Sequence, residues 1–232
     1  MITQDISVSI ARARREDVAA VHEFHQSQAT EFIWPRTPNE LNQLADEGSL
    51  LVAHANDAST QSNYIVGMCY VMEGEEPEGG RRWEFGGVCV SDELRGYGIG
   101  SALGVLAISS LYLYEPPQKG ERLIAHVHID NSLPRHMLEV QLGFVQVGQE
   151  TPPSEVVPPG LQRNSKGEVV GDLYEFRIST LDKFADWLET FDGQVEGRNG
   201  YLATNLNLQF FQAYRDTAIQ ALREFASSSE AD

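Results

Sequence analysis

Val88-Cys89-Val90-Ser91-Asp92-Glu93-Leu94-Arg95-Gly96-Tyr97-Gly98-Ile99-Gly100-Ser101-Ala102-Leu103 runs from an apolar strand through a glycine-rich turn straight into an apolar helix. Unpaired backbone N–H groups at the start of such a helix converge on one place. Glycines let an anion approach the backbone closely, and the helix dipole favours negative charge there. The segment therefore reads as a phosphate cradle. A P-loop would close on Gly-Lys-Ser/Thr, whereas Gly100 is followed by Ser101 without a lysine. A dinucleotide fingerprint would space its glycines as Gly-x-Gly-x-x-Gly within repeated strand-helix-strand units. Here Gly96, Gly98, Gly100 and Gly104 do not fit that spacing, and the preceding strands read as antiparallel.

The surrounding pattern is that of a mixed α/β chain. Ile6 to Ile10 alternates apolar and polar residues as a half-buried strand does, and Val18, Val21 and Phe24 follow the acidic start Glu16-Asp17 as a helix. Thr37-Pro38-Asn39-Glu40 supplies a capping Thr, Pro at the first helical position and Glu three residues after the cap, predicting a second helix. Strands are predicted over Leu50 to Ala55, Tyr64 to Met72 and Trp83 to Val90, the last two separated by the breaker-rich loop Glu73 to Gly80. After the glycine turn come a helix through Leu103, Leu106 and Leu111, a strand from Arg122 to Ile129, a short helix across Arg135 to Gln141, and a strand from Phe144. The Pro- and Gly-punctuated stretch 151–167 is longer than an ordinary connection and precedes a last strand, Val169 to Ile178. Beyond it, Leu181, Phe184, Leu188 and Phe191, then Phe211, Tyr214, Ala218, Leu222 and Phe225, form helical stripes. The predicted organisation is a main domain over 1–178 and a C-terminal helical extension over 179–232. The stripes would cover that domain, a contact with a second copy of the chain (a homodimer) being the alternative.

The balance of 17 Lys and Arg against 34 Asp and Glu gives a formal net charge of −17, which argues against capture of nucleic acid or an anionic membrane. No apolar run approaches the roughly 18 residues of a membrane span, and the N-terminus lacks the pattern of a signal peptide. Cys69 and Cys89 each lie in an apolar run without metal-ligand spacing, so they read as reduced, packed thiols. The expectation is a soluble, cytoplasmic protein with no metal.

Arg95-Gly96-Tyr97-Gly98-Ile99-Gly100 resembles the Arg/Gln-x-x-Gly-x-Gly/Ala signature of the GNAT superfamily of acyl-CoA-dependent N-acyltransferases. Asn131 followed by Leu138-Glu139-Val140-Gln141-Leu142-Gly143-Phe144 is similar to that family's second element, and the order of strands and helices matches over residues 6 to 178. The resemblance implies a mixed, mostly antiparallel central sheet flanked by helices, and transfer of an acetyl group from acetyl-CoA to a primary amine by direct attack. It implies that Arg95, Gly96, Tyr97, Gly98, Ile99, Gly100 and Ser101 hold the pyrophosphate. Backbone groups of Val88, Cys89 and Val90 would face the pantetheine arm, with Asn131 where the fourth and fifth strands part.

For the general base, Glu84 stands first, on the assumption that positions 84, 86, 88 and 90 share one strand face. His126 and His128, on one face of the next strand, are the rivals, because imidazole titrates near neutral pH. The resemblance also implies a Tyr on the helix after Asn131. Met137, Leu138 and Glu139 occupy that place and the spacing from Asn131 to Gly143 is one residue longer than the usual pattern, so the acid would be water, another residue, or Tyr97 or Tyr174 from elsewhere in the chain. Phe32, Trp34, Trp83 and Phe85 are the aromatic candidates for the wall against a small-molecule or peptide amine. The missing Tyr leaves a second reading, an acyl-CoA-binding regulatory module without turnover.

Overall fold

The computed structural model describes residues 6–57, 62–76, 79–153 and 156–228. Nine strands form one sheet: β1 (Ile6–Arg12), β2 (Leu50–Asp57), β3 (Ser62–Glu75), β4 (Arg81–Val90), β5 (Leu123–His128), β6 (Phe144–Glu150), β7 (Gly171–Phe176), β8 (Gln194–Gly197) and β9 (Gly200–Asn207). Their order is β6-β7-β5-β4-β3-β2-β1-β9-β8. Pairing is antiparallel except between β4 and β5 and between β1 and β9. The polar turn that Asn56 to Thr60 predicts between β2 and β3 falls largely outside the described residues, and β3 reaches into the stretch read as a loop.

Helices α1 (Val18–Ser27) and α2 (Pro38–Asp46) cover one face of the sheet, and α3 (Ile99–Tyr114) covers the other. The start of α2 follows from its sequence. Thr37 Oγ1 accepts the Glu40 N–H at 3.3 Å while Glu40 Oε2 accepts the Thr37 N–H at 2.8 Å, the reciprocal capping box. Helix α3 is apolar nearly all round because it is covered twice. Its inner side packs on the sheet, and its outer side meets α5 (Leu181–Thr190) and α7 (Arg215–Ser228) through Phe184, Leu188, Ile219 and Leu222, all in one core with Leu103 and Leu106. The Tyr112 ring packs between Phe176, tilted at 45°, and Phe225, edge-on, with centroids 5.8 Å from each.

Between β5 and β6 the chain forms α4 (Leu133–His136) and then a π-helical turn over Met137–Gln141. A wide turn of this kind absorbs one extra residue without shifting the helix ends. It accounts for the long spacing between Asn131 and Gly143.

Two expectations for the C-terminal extension need correction. The stripe from Phe211 to Phe225 is not one helix: α6 (Gln209–Ala213) ends at Tyr214, whose backbone leaves the helical region and whose side chain is exposed, before α7 begins. The extension is also not helical throughout, since residues 194–207 form the β8–β9 hairpin. Strand β9 joins the sheet in parallel with β1, with Val8 opposite Thr204 and Ile10 opposite Leu206.

Candidate functional site

The site is built around an irregularity in β4. Gly86 pairs with Tyr70 and Cys89 with Met68, so three steps along β4 oppose two along β3. This is a bulge. Gly87 makes it with a φ of 62°, and a Cβ there would collide with the Tyr70 ring, lying 2.6 Å from Cδ1. The bulge overturns the expected alternation of residues 84, 86, 88 and 90. Val88 and Val90 turn to the α3 side with Trp83 and Phe85, whereas Cys89 packs on the α1–α2 side with Tyr70. Trp83 and Phe85 therefore belong to the α3 core and not to an acceptor wall. On its other edge β4 pairs with β5 only through Trp83↔Leu123 and Glu84↔Ile124. Beyond Glu84 the two strands part.

The glycine turn stands at the end of that opening. After a short helical turn over Asp92–Leu94, Gly96 and Gly98 both take a φ of 88°, and Gly98 caps α3. The positive φ is what only glycine adopts without strain. The first N–H groups of α3 lack intrahelical acceptors, as at any helix start. Gly100 faces the opening, where an added Cβ would lie 3.4 Å from Met137 Sδ and 3.6 Å from Val88 and Val90. Ser101 Oγ bonds Gln141 of the π turn. Arg95 pairs with Asp92 at 2.6 Å and donates to the Val90 carbonyl at 3.4 Å.

The glycine turn has a neighbour that its sequence does not disclose. The β8–β9 turn lies against it: the Asn199 N–H donates to Gly96 O at 3.0 Å and Asn199 Nδ2 to Arg95 O at 2.8 Å. A Cβ on Gly98 would collide with the Glu196 carbonyl, and one on Gly197 would lie 2.6 Å from Gly98 N. The two turns interlock through glycines on both sides.

At the other end of the opening, the parallel step between β4 and β5 brings Glu84 and His126 together. His126 Nδ1 lies 3.4 Å from Glu84 Oε1, and Nε2 lies 2.9 Å from Glu150 Oε2 on β6. Burial by itself would lower the His126 pKa, but hydrogen bonds and charge from Glu84 and Glu150 outweigh it and hold the imidazole above its ordinary value. For Glu84 burial acts to raise the pKa, and His126, Arg36 and Arg82 more than offset it, leaving the carboxyl below its usual range. Glu150 is in turn held by Arg82 at 3.3 Å. Below the group, the Tyr70 hydroxyl accepts from Arg36 Nε at 3.0 Å, and burial pushes the phenol up to about 12.

His126 thus forms one cluster with Glu84, and the other rival, His128, is differently placed. Both its nitrogens are engaged: Nε2 faces the Gln162 carbonyl at 3.0 Å, and Nδ1 accepts the Asp130 N–H at 3.2 Å. Its ring packs 5.1 Å from that of Phe32. Gln162 also donates its N–H to Glu31 O at 2.9 Å, which ties it to the loop between α1 and α2. Asn131 Oδ1 accepts the Leu133 N–H at 3.4 Å, a local turn just ahead of α4. Tyr174 is buried on β7 with its hydroxyl 3.2 Å from Glu139 on the π turn; burial and then that carboxylate raise its pKa. Cys69 and Cys89 are buried thiols, and burial pushes Cys89 up to about 12.

Glu150, Tyr70, Arg36 and the 196–199 turn are absent from the sequence reading. Only the hairpin left a signal, in Asn199-Gly200 followed by alternating Leu202, Leu206 and Leu208. A trough of about 590 Å³ on the β9–β1–β2 edge, lined among others by Ser7, Ser9, His54 and Asn205, contains none of the site residues. Among the described residues no helix is long and apolar enough to cross a membrane, and no group of His, Cys, Asp and Glu has the arrangement of a metal site.

No protein-family model and no curated protein matches the chain in sequence. Solved structures do match in fold. An acetyltransferase of the GNAT family from Streptococcus pneumoniae is 18% identical with a TM-score of 0.54, covering 72% of this chain and 98% of that one. The loading GNATL domain of CurA from Lyngbya majuscula is 12% identical with a TM-score of 0.54, covering 73% and 96%. A chain of the NatC complex bound to Gag peptide and CoA is 14% identical with a TM-score of 0.54, covering 72% and 97%. The chain has the fold of the GNAT acetyltransferases.

Proposed function

We propose that the chain is an N-acyltransferase that moves an acetyl group from acetyl-CoA to a primary amine by direct attack. The observation that carries this reading is the parting of β4 and β5 beyond Glu84, with the glycine turn at one end of the gap and the Glu84–His126–Glu150 cluster at the other. The NatC structure that shares the fold holds CoA and a peptide. Acetyl-CoA supplies an activated thioester. The residues suit it: the glycine turn offers backbone N–H groups to phosphate, and Gly100 leaves room beside Val88 and Val90. Between these ends the β4 edge, bulged at Gly87, offers backbone groups to the pantetheine arm and the thioester carbonyl.

An amine attacks only after losing the proton of its ammonium form. Glu84, ionised and buried beside His126, draws the ammonium in, and the Glu84–His126 pair takes its proton. Because both carboxylates favour imidazolium, His126 accepts a proton only once it has lost its own, so kcat/KM rises with pH through a value above that of a free imidazole. His128, with both nitrogens engaged, orders the end of β5 beneath Phe32. The amine, whether of a small molecule or a peptide, enters between the α1–α2 loop and the 151–167 stretch.

Calorimetric titration with acetyl-CoA and CoA, with NADH as control, tests the cofactor, and thiol release across a panel of amines tests turnover. Binding of both CoA species with NADH silent, followed by amine-dependent thiol release, is the expected result. Failure of both CoA species to bind would refute the reading. Binding without thiol release would leave a CoA-binding module.

A further inference from the structure

The interlock between the β8–β9 turn and the glycine turn places a cation where the proposed cofactor carries its charge. Arg198 is an exposed residue of that turn, and its Nε lies 3.1 Å from the point where a Gly96 Cβ would be. Among the described residues it has no hydrogen-bond or ion-pair partner. Arg95, the other arginine at the turn, is already paired with Asp92 at 2.6 Å. In a chain of net charge −17, with twice as many acids as bases, no carboxylate among the described residues takes up this guanidinium. It stands beside the start of α3, where the first N–H groups of a helix lack intrahelical acceptors. The backbone around it is fixed by the two Asn199 hydrogen bonds and by the packing of Gly197 on Gly98, so the guanidinium is presented on a rigid tip and not on a loose loop.

We infer that the β8–β9 turn is the second wall of the phosphate site and that Arg198 binds the pyrophosphate of acyl-CoA. The inference rests on the acyl-CoA reading above and adds a ligand from a part of the chain outside the glycine motif. Guanidinium suits this task, since it is permanently charged and an exposed positive charge beside the glycine turn attracts phosphate.

The test compares CoA and 3′-dephospho-CoA binding by the full-length wild type, Arg198→Ala and Arg198→Lys, with thermal midpoints measured alongside. Arg198→Ala should bind both ligands about tenfold more weakly, the size of one exposed charge-assisted contact. Arg198→Lys should recover most of the loss, and the midpoints without ligand should stay together because Arg198 has no partner to lose. Wild-type affinity in Arg198→Ala overturns the inference and leaves the acyl-CoA reading standing. So does a loss that Arg198→Lys does not repair. A loss seen with CoA but not with 3′-dephospho-CoA overturns the assignment to the pyrophosphate. Absence of CoA binding by the wild type removes both readings together.

Discussion

Gly87→Ala should cost far more than its single methyl group suggests. At a φ of 62°, an alanine incurs left-handed strain of about 1 kcal/mol. Its Cβ would also run into the Tyr70 ring, 2.6 Å from Cδ1. That ring is buried and tied through its hydroxyl to Arg36 at 3.0 Å, so it cannot swing aside freely. Overpacking of this kind costs roughly 1–3 kcal/mol, and the sum is about 2–4 kcal/mol. Urea unfolding reads it: with a slope of about 3 kcal/mol/M, the midpoint should fall by roughly 1 M at unchanged slope. Gly120→Ala is the control, because Gly120 has a φ of 91° and nothing within 4 Å of an added Cβ, leaving the strain alone. A double variant with Tyr70→Leu should regain part of the loss. If Gly87→Ala loses no more than Gly120→Ala, the contact with Tyr70 does not enforce the bulge, and the account of how β4 is shaped fails.

Glu150→Gln removes a charge that favours the His126 imidazolium, so the alkaline-going limb of kcat/KM should move to lower pH; an unmoved limb in the thiol-release assay would show that His126 does not control it. The same pair predicts how stability follows pH. Because the folded pKa of His126 is raised, its contribution is complete below about 6.5 and is lost as pH climbs through the raised value. The stability gap between wild type and Glu150→Gln in urea should therefore be widest near pH 6 and narrow at alkaline pH. Thr37→Ala removes one half of the capping box at the start of α2 and should cost about 1 kcal/mol in the same assay, without altering CoA affinity.

Much of this was legible because it is local. The capping box of α2, the alternation of β1 and the apolar run of α3 are set by neighbours a few positions away, and each appears where its residues predict it. The site was legible in part. Glu84 and His126 could be named as candidates from strand position and titration range, but their meeting depends on the parallel register between β4 and β5, which leaves no trace in either strand. Glu150 is 24 residues from His126 and reaches it only across β7. The bulge was hidden in Gly86-Gly87, since strict alternation is the default for any strand and a bulge reverses it for every residue beyond. The β8–β9 hairpin carried a turn signal and a period of two, and the helical stripes on either side drew the reading away from them.

The glycine turn shows why a motif and its cause must be separated. Gly96 and Gly98 have two reasons to be glycine that involve no ligand: each takes a φ of 88°, and Gly98 leaves room for the Glu196 carbonyl. A bulky residue at Gly98 would displace the hairpin whether or not phosphate ever binds. Loss of CoA affinity in such a variant would therefore not isolate the cradle. Gly100 differs. An added Cβ there would have Met137 Sδ at 3.4 Å and Val88 and Val90 at 3.6 Å as its nearest neighbours, ordinary contact distances. Its smallness is not demanded by backbone conformation or by the hairpin. Of the three glycines, it is the one at which an added methyl group meets neither backbone strain nor a collision, so Gly100→Ala leaves the surrounding architecture in place and tests the proposed phosphate site by itself.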